Sequence, residues 1–142
     1  MKFWDSSALV SLLVQEEQSA HMEKVLADDL SVLVWYGTLA EIESAMMRRV
    51  RDGSLTEPDE RLARRKLVML ENAWYEIQPT EVVRSRALRL LRVHPLRAAD
   101  AFQLAAALVA CGEETNGFGF LTGDARLREA AKKEGFDIPE AT

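Results

Sequence analysis

The chain has 142 residues, of which 48% are apolar and 29% charged, and its formal net charge is −5. The apolar fraction excludes an intrinsically disordered chain, the single Cys111 excludes a disulfide framework, and no run approaches the roughly 18 apolar residues of a membrane span. We therefore expect one domain over residues 1–142, located in the reducing cytoplasm and not associated with a membrane.

Strands and helices alternate in the first half of the chain. Short apolar or β-branched runs predict strands, and longer runs with helical spacing predict helices. The first two strands are expected to be followed by capping residues, Asp5-Ser6-Ser7 and Gly37-Thr38. The predicted elements are a strand Lys2–Trp4, helices up to Val14 and over Ser19–Ala27, a strand Ser31–Trp35, helices Thr38–Arg51 and Leu62–Ala73 (with Pro58 near the start of the latter), and a strand Trp74–Ile77.

The second half continues the alternation. A helix over Glu81–Val93 is expected to bury Val82, Leu88 and Leu91 and to expose its arginines. The predicted elements that follow are an Ala-rich helix Arg97–Cys111 that is apolar almost all round, a strand Gly117–Thr122, a helix Asp124–Glu134 and a short strand Phe136–Ile138. Strands separated by helices predict an α/β protein with a mostly parallel sheet.

Four acidic residues follow predicted strands or open the helices after them. Asp5 ends the first strand, Glu41 lies in the first turn after the second, Asp100 opens the Ala-rich helix and Asp124 follows the strand ending at Thr122. Ligands of open parallel sheets bind outside the carboxyl ends of the strands. We therefore expect these four carboxylates to converge at one edge of the sheet.

Converging carboxylates repel each other unless a cation compensates. Mg²⁺ or Mn²⁺ suits oxygen ligands and leaves positions open for phosphate oxygens, whereas His21, His94 and Cys111 have no zinc-like spacing. A metal held in this way supports the chemistry of hydrolytic nucleases. Ser6 and Thr122 are expected to orient the carboxylates or metal-bound water.

Each acid also has a purely structural interpretation. Asp5 and Asp124 are good helix caps, and Thr38 with Glu41 has the spacing of a capping box. Asp100 is the hardest to explain in this way, because apolar residues surround it and lone buried acids are rare.

Basic residues are concentrated in the middle of the chain. Residues 48–97 contain 12 of the 18 Lys and Arg residues but 7 of the 23 acids. This distribution fits a protein that binds a metal and a polyanion at different points, although the same arginines could simply form solvated helix faces.

Four segments in their order and spacing resemble a known family: Phe3–Val10, Thr38–Ala45, Leu96–Leu108 and Phe120–Leu127. The sequence resembles the PIN-domain ribonucleases and, among them, the VapC toxins of type II toxin–antitoxin pairs. The segment that carries Asp100 is the most family-specific of the four.

The resemblance implies a three-layer α/β/α fold and a metal-dependent endoribonuclease. Asp5, Glu41, Asp100 and Asp124 would be its catalytic residues and would surround Mg²⁺ or Mn²⁺. The resemblance also implies a homodimer and a small antitoxin that inserts a segment near the active site.

The second acid has an alternative. Leu39, Ile42 and Met46 define the apolar face of the predicted helix, and Glu43 lies nearer to that face than Glu41. The family pattern, an acid directly before an aliphatic residue, favours Glu41, so we assign Glu41 and keep Glu43 as the fallback.

The leading functional interpretation is an RNA-cleaving toxin. The candidate RNA-binding residues in its basic section are Arg48, Arg49, Arg51 and Arg97. The alternatives are a housekeeping RNA-processing nuclease without an antitoxin, or a non-catalytic regulatory module that keeps the acidic pocket.

Overall fold

The computed structural model describes residues 1–140, which form four strands and seven helices. In chain order they are β1 (Lys2–Trp4), α1 (Ser6–Leu13), α2 (Ser19–Asp28), β2 (Val32–Trp35), α3 (Thr38–Arg51), α4 (Glu57–Ala73), β3 (Tyr75–Ile77), α5 (Glu81–Val93), α6 (Ala98–Ala110), β4 (Gly119–Leu121) and α7 (Ala125–Lys133). The order of strands and helices agrees with the sequence prediction.

The main differences from the prediction are at the start of α4 and at the last predicted strand. Helix α4 begins at Glu57, because the Thr56 hydroxyl accepts a hydrogen bond from the Asp59 amide and Pro58 occupies the first turn, where its missing N–H costs nothing. The predicted strand Phe136–Ile138 is reduced to one parallel bridge between Asp137 and Gly119.

The four strands form one parallel sheet in the order β3-β2-β1-β4. Strand β1 lies in the interior, with Phe3 opposite Leu33 on one side and Phe120 on the other. The predicted α/β fold with a parallel central sheet is therefore confirmed, and the carboxyl ends of β1 and β4 are neighbours.

Alternate strand residues are buried on opposite faces of the sheet, as the pleat requires. Phe3 packs in a core formed with α5, α6 and α7, and Trp4 packs in a second core formed with α1, α2, α3 and α4. Helices thus cover both faces, which confirms the three-layer α/β/α arrangement that the resemblance implied.

The buried face of α5 differs from the prediction. Val83, Ala87 and Leu90 are buried, whereas Val82 is 64% and Leu88 51% exposed. The prediction that Val82, Leu88 and Leu91 face the core is wrong because it followed the largest side chains. The helix instead packs through a stripe with Ala87 at its centre, which allows close approach to the Ala-rich α6.

Helix α6 is apolar on nearly every side because it lies in the core between the sheet and α5. Gln103 is its only polar side chain after Asp100, and it is fully buried. Within residues 1–140, no helix is both long enough and apolar enough to cross a bilayer.

Candidate active site

Asp5 lies at the carboxyl end of β1, where its amide donates to the Leu121 carbonyl of β4 at 2.9 Å. The side chain is almost completely buried. Although Asp5 occupies the N-cap position of α1, its carboxylate makes no capping hydrogen bond. Burial raises the pKa of Asp5, and hydrogen bonds from Ser7 and Thr122 partly oppose this shift.

Glu41 lies in the first turn of α3 and faces Asp5. Its Oε1 accepts from the Ser6 hydroxyl at 3.1 Å, and its Oε2 accepts from Gln103 Nε2 at 2.9 Å. Helix α3 has no side-chain cap at its N-terminus, so Glu41 is not part of the capping box that the spacing suggested. Burial and the charge of Asp5 raise the pKa of Glu41, and the charge of Asp100 adds to the effect.

Asp100 is half-buried in the first turn of α6. Burial raises its pKa, as do the charges of Asp124 and Asp5, and Arg97 partly opposes the increase. Asp124 is the N-cap of α7, where its Oδ1 accepts from the Leu127 amide at 3.0 Å. Asp124 therefore has the capping role that its position suggested, while its charge also acts on Asp100.

Two hydroxyl groups connect neighbouring acids of this site. Thr122 Oγ1 donates to Asp5 Oδ2 at 2.7 Å and accepts from the Asp124 amide at 3.0 Å, so it links two of the acids. Ser6 lies 3.3 Å from Asp5 Oδ1 as well as within hydrogen-bond distance of Glu41. Both hydroxyls contact the acids beside them, and their role in orienting metal ligands stays a prediction.

Two further polar residues of this site were not predicted as site residues. The Ser7 hydroxyl donates to Asp5 Oδ2 at 2.5 Å and accepts from the Gly123 amide at 2.8 Å. Gln103 contacts Glu41 from α6. A single amide within the apolar run Ala101–Ala110 was the sequence signal for Gln103, because a buried amide needs partners. Ser7 had no signal that distinguished it from a cap.

The fallback acid Glu43 points away from the other carboxylates. Its two oxygens accept from the guanidinium of Arg64 on α4, at 2.8 and 3.0 Å. The hydrogen bonds from Arg64 lower the pKa of Glu43, which is opposite to the shift of Glu41. The geometry therefore favours Glu41 over Glu43 as the second acid of the site.

The candidate RNA-binding arginines have different surroundings. Arg48 is exposed and lines a hollow of about 380 Å³ together with Ser6, Glu41 and Ser44. Arg49 lines the same hollow, but its guanidinium is paired with Glu16 at 2.8 Å. Arg97 is the exposed N-cap residue of α6, three residues before Asp100, and Arg51 is exposed at the end of α3.

The donor set fits a hard divalent cation. Asp5, Glu41, Asp100 and Asp124 offer only oxygen atoms, and their charges act on one another. Over residues 1–140, no group of three or more His, Cys, Asp or Glu side chains is arranged so that it could hold a metal ion directly. Mg²⁺ does not require such a cage, because it usually keeps several waters and binds proteins through one or two carboxylates.

Comparisons with known proteins agree with this fold. The crystal structure of PAE2754 from Pyrobaculum aerophilum superposes with a TM-score of 0.67 at 21% identity, covering 96% of this chain and 89% of that one. The crystal structure of FitAcB from Neisseria gonorrhoeae gives a TM-score of 0.66 at 14% identity, covering 99% and 97%. Both similarities concern the fold. No curated protein matches the chain significantly in sequence.

A family comparison provides the assignment. The model of the PIN domain matches residues 2–133, nearly the whole chain. The matched range includes Asp5, Glu41, Asp100 and Asp124 and the candidate RNA-binding arginines. The chain therefore belongs to the PIN domain family, whose members are typically nucleases that use divalent metal ions.

Proposed function

We propose that the protein is a metal-dependent endoribonuclease in which Asp5, Glu41, Asp100 and Asp124 hold Mg²⁺ or Mn²⁺. The observation that carries the proposal is the way two hydroxyls link three of the acids: Ser6 lies 3.3 Å from Asp5 and 3.1 Å from Glu41, and Thr122 donates to Asp5 and accepts from the Asp124 amide. The mutual charges also raise the pKa values of Glu41 and Asp100. Carboxylates held together at the cost of mutual repulsion are typical of functional sites.

The roles of the chain's own groups follow from their contacts. When bound, the metal supplies positive charge that neutralises a reacting phosphate and lowers the pKa of a water molecule. Ser7 and Thr122 fix the Asp5 carboxylate, and Ser6 and Gln103 fix that of Glu41. Preoriented ligands need not be ordered during the reaction, which is why such supporting contacts matter for rate.

RNA binding is proposed for the exposed arginines beside the acids. Arg48 and Arg97 are exposed, Arg48 beside Glu41 and Arg97 three residues before Asp100, and the hollow beside Glu41 leaves space for part of the RNA chain. Arg51, at the end of α3, could extend this contact, whereas Arg49 would first have to leave Glu16.

Cleavage of a labelled single-stranded RNA tests the enzymatic proposal. Wild type should cleave with Mg²⁺ or Mn²⁺ and not with a chelator, and Asp100→Asn should be inactive because it removes a ligand charge. Glu43→Gln is the control, since it neutralises an acid that faces Arg64, and it should remain active. Cleavage that persists in chelator, or near-normal activity of Asp100→Asn, would refute the proposal.

We further propose that the nuclease is the toxin of a toxin–antitoxin pair, a cytoplasmic homodimer inhibited by a small antitoxin. Induced expression should arrest bacterial growth, Asp100→Asn should not, and co-expression of a small protein encoded directly upstream should restore growth. RNA cleavage without growth arrest would instead identify a housekeeping nuclease. Sedimentation at micromolar concentration tests the dimer, and a monomer would contradict it.

A further inference from the structure

We propose that Gln103 is a positioning residue that holds the Glu41 carboxylate in the metal site, an inference that rests on the proposed nuclease function. Gln103 lies one helical turn after Asp100 and is fully buried. Every other side chain from Ala101 to Ala110 is apolar. A buried amide in such surroundings destabilises the fold unless it is hydrogen-bonded, so its partners indicate why it is there.

Both hydrogens of the Gln103 amide are used on α3. Nε2 donates to Thr38 Oγ1 at 3.0 Å and to Glu41 Oε2 at 2.9 Å. Thr38 and Glu41 are three residues apart, on the same side of the helix, and Thr38 is fully buried. Thr38 therefore provides a fixed anchor for the amide, and Glu41 is the group that the amide restrains.

The orientation of the amide is determined by its acceptors. With the amide reversed, its oxygen would face a carboxylate oxygen, which is unfavourable for an ionised Glu41. In the observed orientation, Gln103 Oε1 is buried and has no hydrogen-bond partner among the described residues. The two donor contacts, with Thr38 and Glu41, are therefore what this amide provides in its buried position.

Glu41 needs such a restraint. Its side chain is flexible and partly exposed, and Asp5 and Asp100 both repel it. Without the donors Ser6 and Gln103, the carboxylate would turn towards solvent, away from the other acids. A neutral amide restrains the carboxylate without neutralising it, whereas a lysine or arginine at this position would compete with the metal.

The test is a double-mutant cycle on metal affinity. Gln103→Met keeps the length and helix propensity of the side chain and removes the donor, and Glu41→Ala removes the group that is held. The Mn²⁺ dissociation constant is measured by calorimetry for wild type, both single variants and the double variant. The apo melting temperature of each protein is measured in chelator.

Gln103→Met should weaken Mn²⁺ binding by about 10–100-fold, the usual effect of removing a group that orients a metal ligand. In the Glu41→Ala background the same substitution should change the affinity by less than about twofold, because nothing remains to be positioned. The control Leu108→Met, a volume-conserving change in the same buried helix, should bind Mn²⁺ like wild type.

Thr38→Val provides a second variant that leaves α6 unchanged and removes only the anchor of the amide. Thr38→Val should also weaken Mn²⁺ binding, by a smaller factor than Gln103→Met, and again only when Glu41 is present. Equal losses of Mn²⁺ affinity with and without Glu41 would show that Gln103 has a merely structural role and would overturn the inference.

Failure of this inference is distinguishable from failure of the proposed function. A wild-type protein that neither binds Mn²⁺ nor cleaves RNA refutes both. A wild type that does both, together with a Gln103→Met variant of unchanged affinity, refutes only the role of Gln103.

Discussion

Glu41 and Glu43 form a matched pair on α3 whose neutralisation should have opposite consequences. Glu41→Gln and Glu43→Gln each remove one negative charge at nearly constant volume, two residues apart. Glu41 faces Asp5 and Asp100, whereas Glu43 forms a two-point ion pair with Arg64, with N–O distances of 2.8 and 3.0 Å. Because both substitutions are Glu to Gln in the same helix, the two variants have the same overall charge and helix propensity and differ only in these contacts.

Without metal, Glu43→Gln should be the less stable variant. The side chains of Arg64 and Glu43 are 39% and 48% exposed, and a pair this exposed contributes about 0–1 kcal/mol. In a domain of this size the loss lowers the melting temperature by at most about 4 °C. Glu41→Gln relieves repulsion from two carboxylates, so its apo melting temperature should equal or exceed that of wild type.

With metal bound, the order of stability of the two variants should reverse. Mn²⁺ at a hundredfold above its Kd stabilises wild type by about 2.7 kcal/mol, which corresponds to a rise of about 5–11 °C. Glu43→Gln should show the whole rise. If the loss of Glu41 weakens binding about a hundredfold, the same Mn²⁺ concentration stabilises that variant by about 0.4 kcal/mol, roughly one-seventh as much.

Thermal melts of the three proteins, each in chelator and at the same Mn²⁺ concentration, measure all of these differences. Mn²⁺ responses of both variants equal to that of wild type would show that neither acid contributes to a metal site. A smaller response for Glu43→Gln than for Glu41→Gln would transfer the role to Glu43 and would refute the geometric reasoning.

Three further predictions concern pH, support of the acids and RNA binding. Because burial and neighbouring charges raise carboxyl pKa values in the site, these groups bind more protons in the metal-free folded protein than in the unfolded chain above about pH 4. The difference between the free energies of unfolding of wild type and Asp100→Asn should therefore increase in favour of wild type as the pH is lowered from 7 to 4. Urea denaturation in chelator measures both free energies, and a difference that does not change with pH would contradict this prediction. Thr122→Val removes a buried hydrogen bond of 2.7 Å to Asp5 and should lower the free energy of unfolding by about 1.5–3 kcal/mol in the same assay. An unchanged free energy of unfolding would show that this contact does not stabilise the protein. RNA binding is measured in an inactive Asp100→Asn background, as the slope of the logarithm of the binding constant against the logarithm of the salt concentration. Arg48→Ala should reduce this slope for single-stranded RNA by about 0.7, whereas Arg49→Ala should leave it nearly unchanged, because the Arg49 guanidinium is paired with Glu16. Equal slopes for both variants would show that Arg48 does not contact phosphate.

The sequence alone was sufficient for the order of elements and for the edge of the sheet at which Asp5 and Asp124 lie. Strands and helices differ in the length and period of their apolar runs, and strands that alternate with helices pair in parallel. Asp5 and Asp124 come just after strands, so the topology of a parallel sheet places them at its carboxyl edge, whereas Asp100 opens a helix that follows another helix and is not placed by the order of the strands. These are local properties of the chain, and they do not depend on side-chain packing.

Only the tertiary structure decided which side chains face one another. The helical periodicity of α3 favoured Glu43, but Arg64 of α4, 21 residues away, attracts Glu43, while Gln103 of α6, 62 residues away, holds Glu41. In the same way Glu16 pairs with Arg49, and Ala87 rather than a larger residue centres the buried face of α5. Such choices depend on which helices pack together and how closely they approach, and a chain's local pattern contains no information about its distant partners.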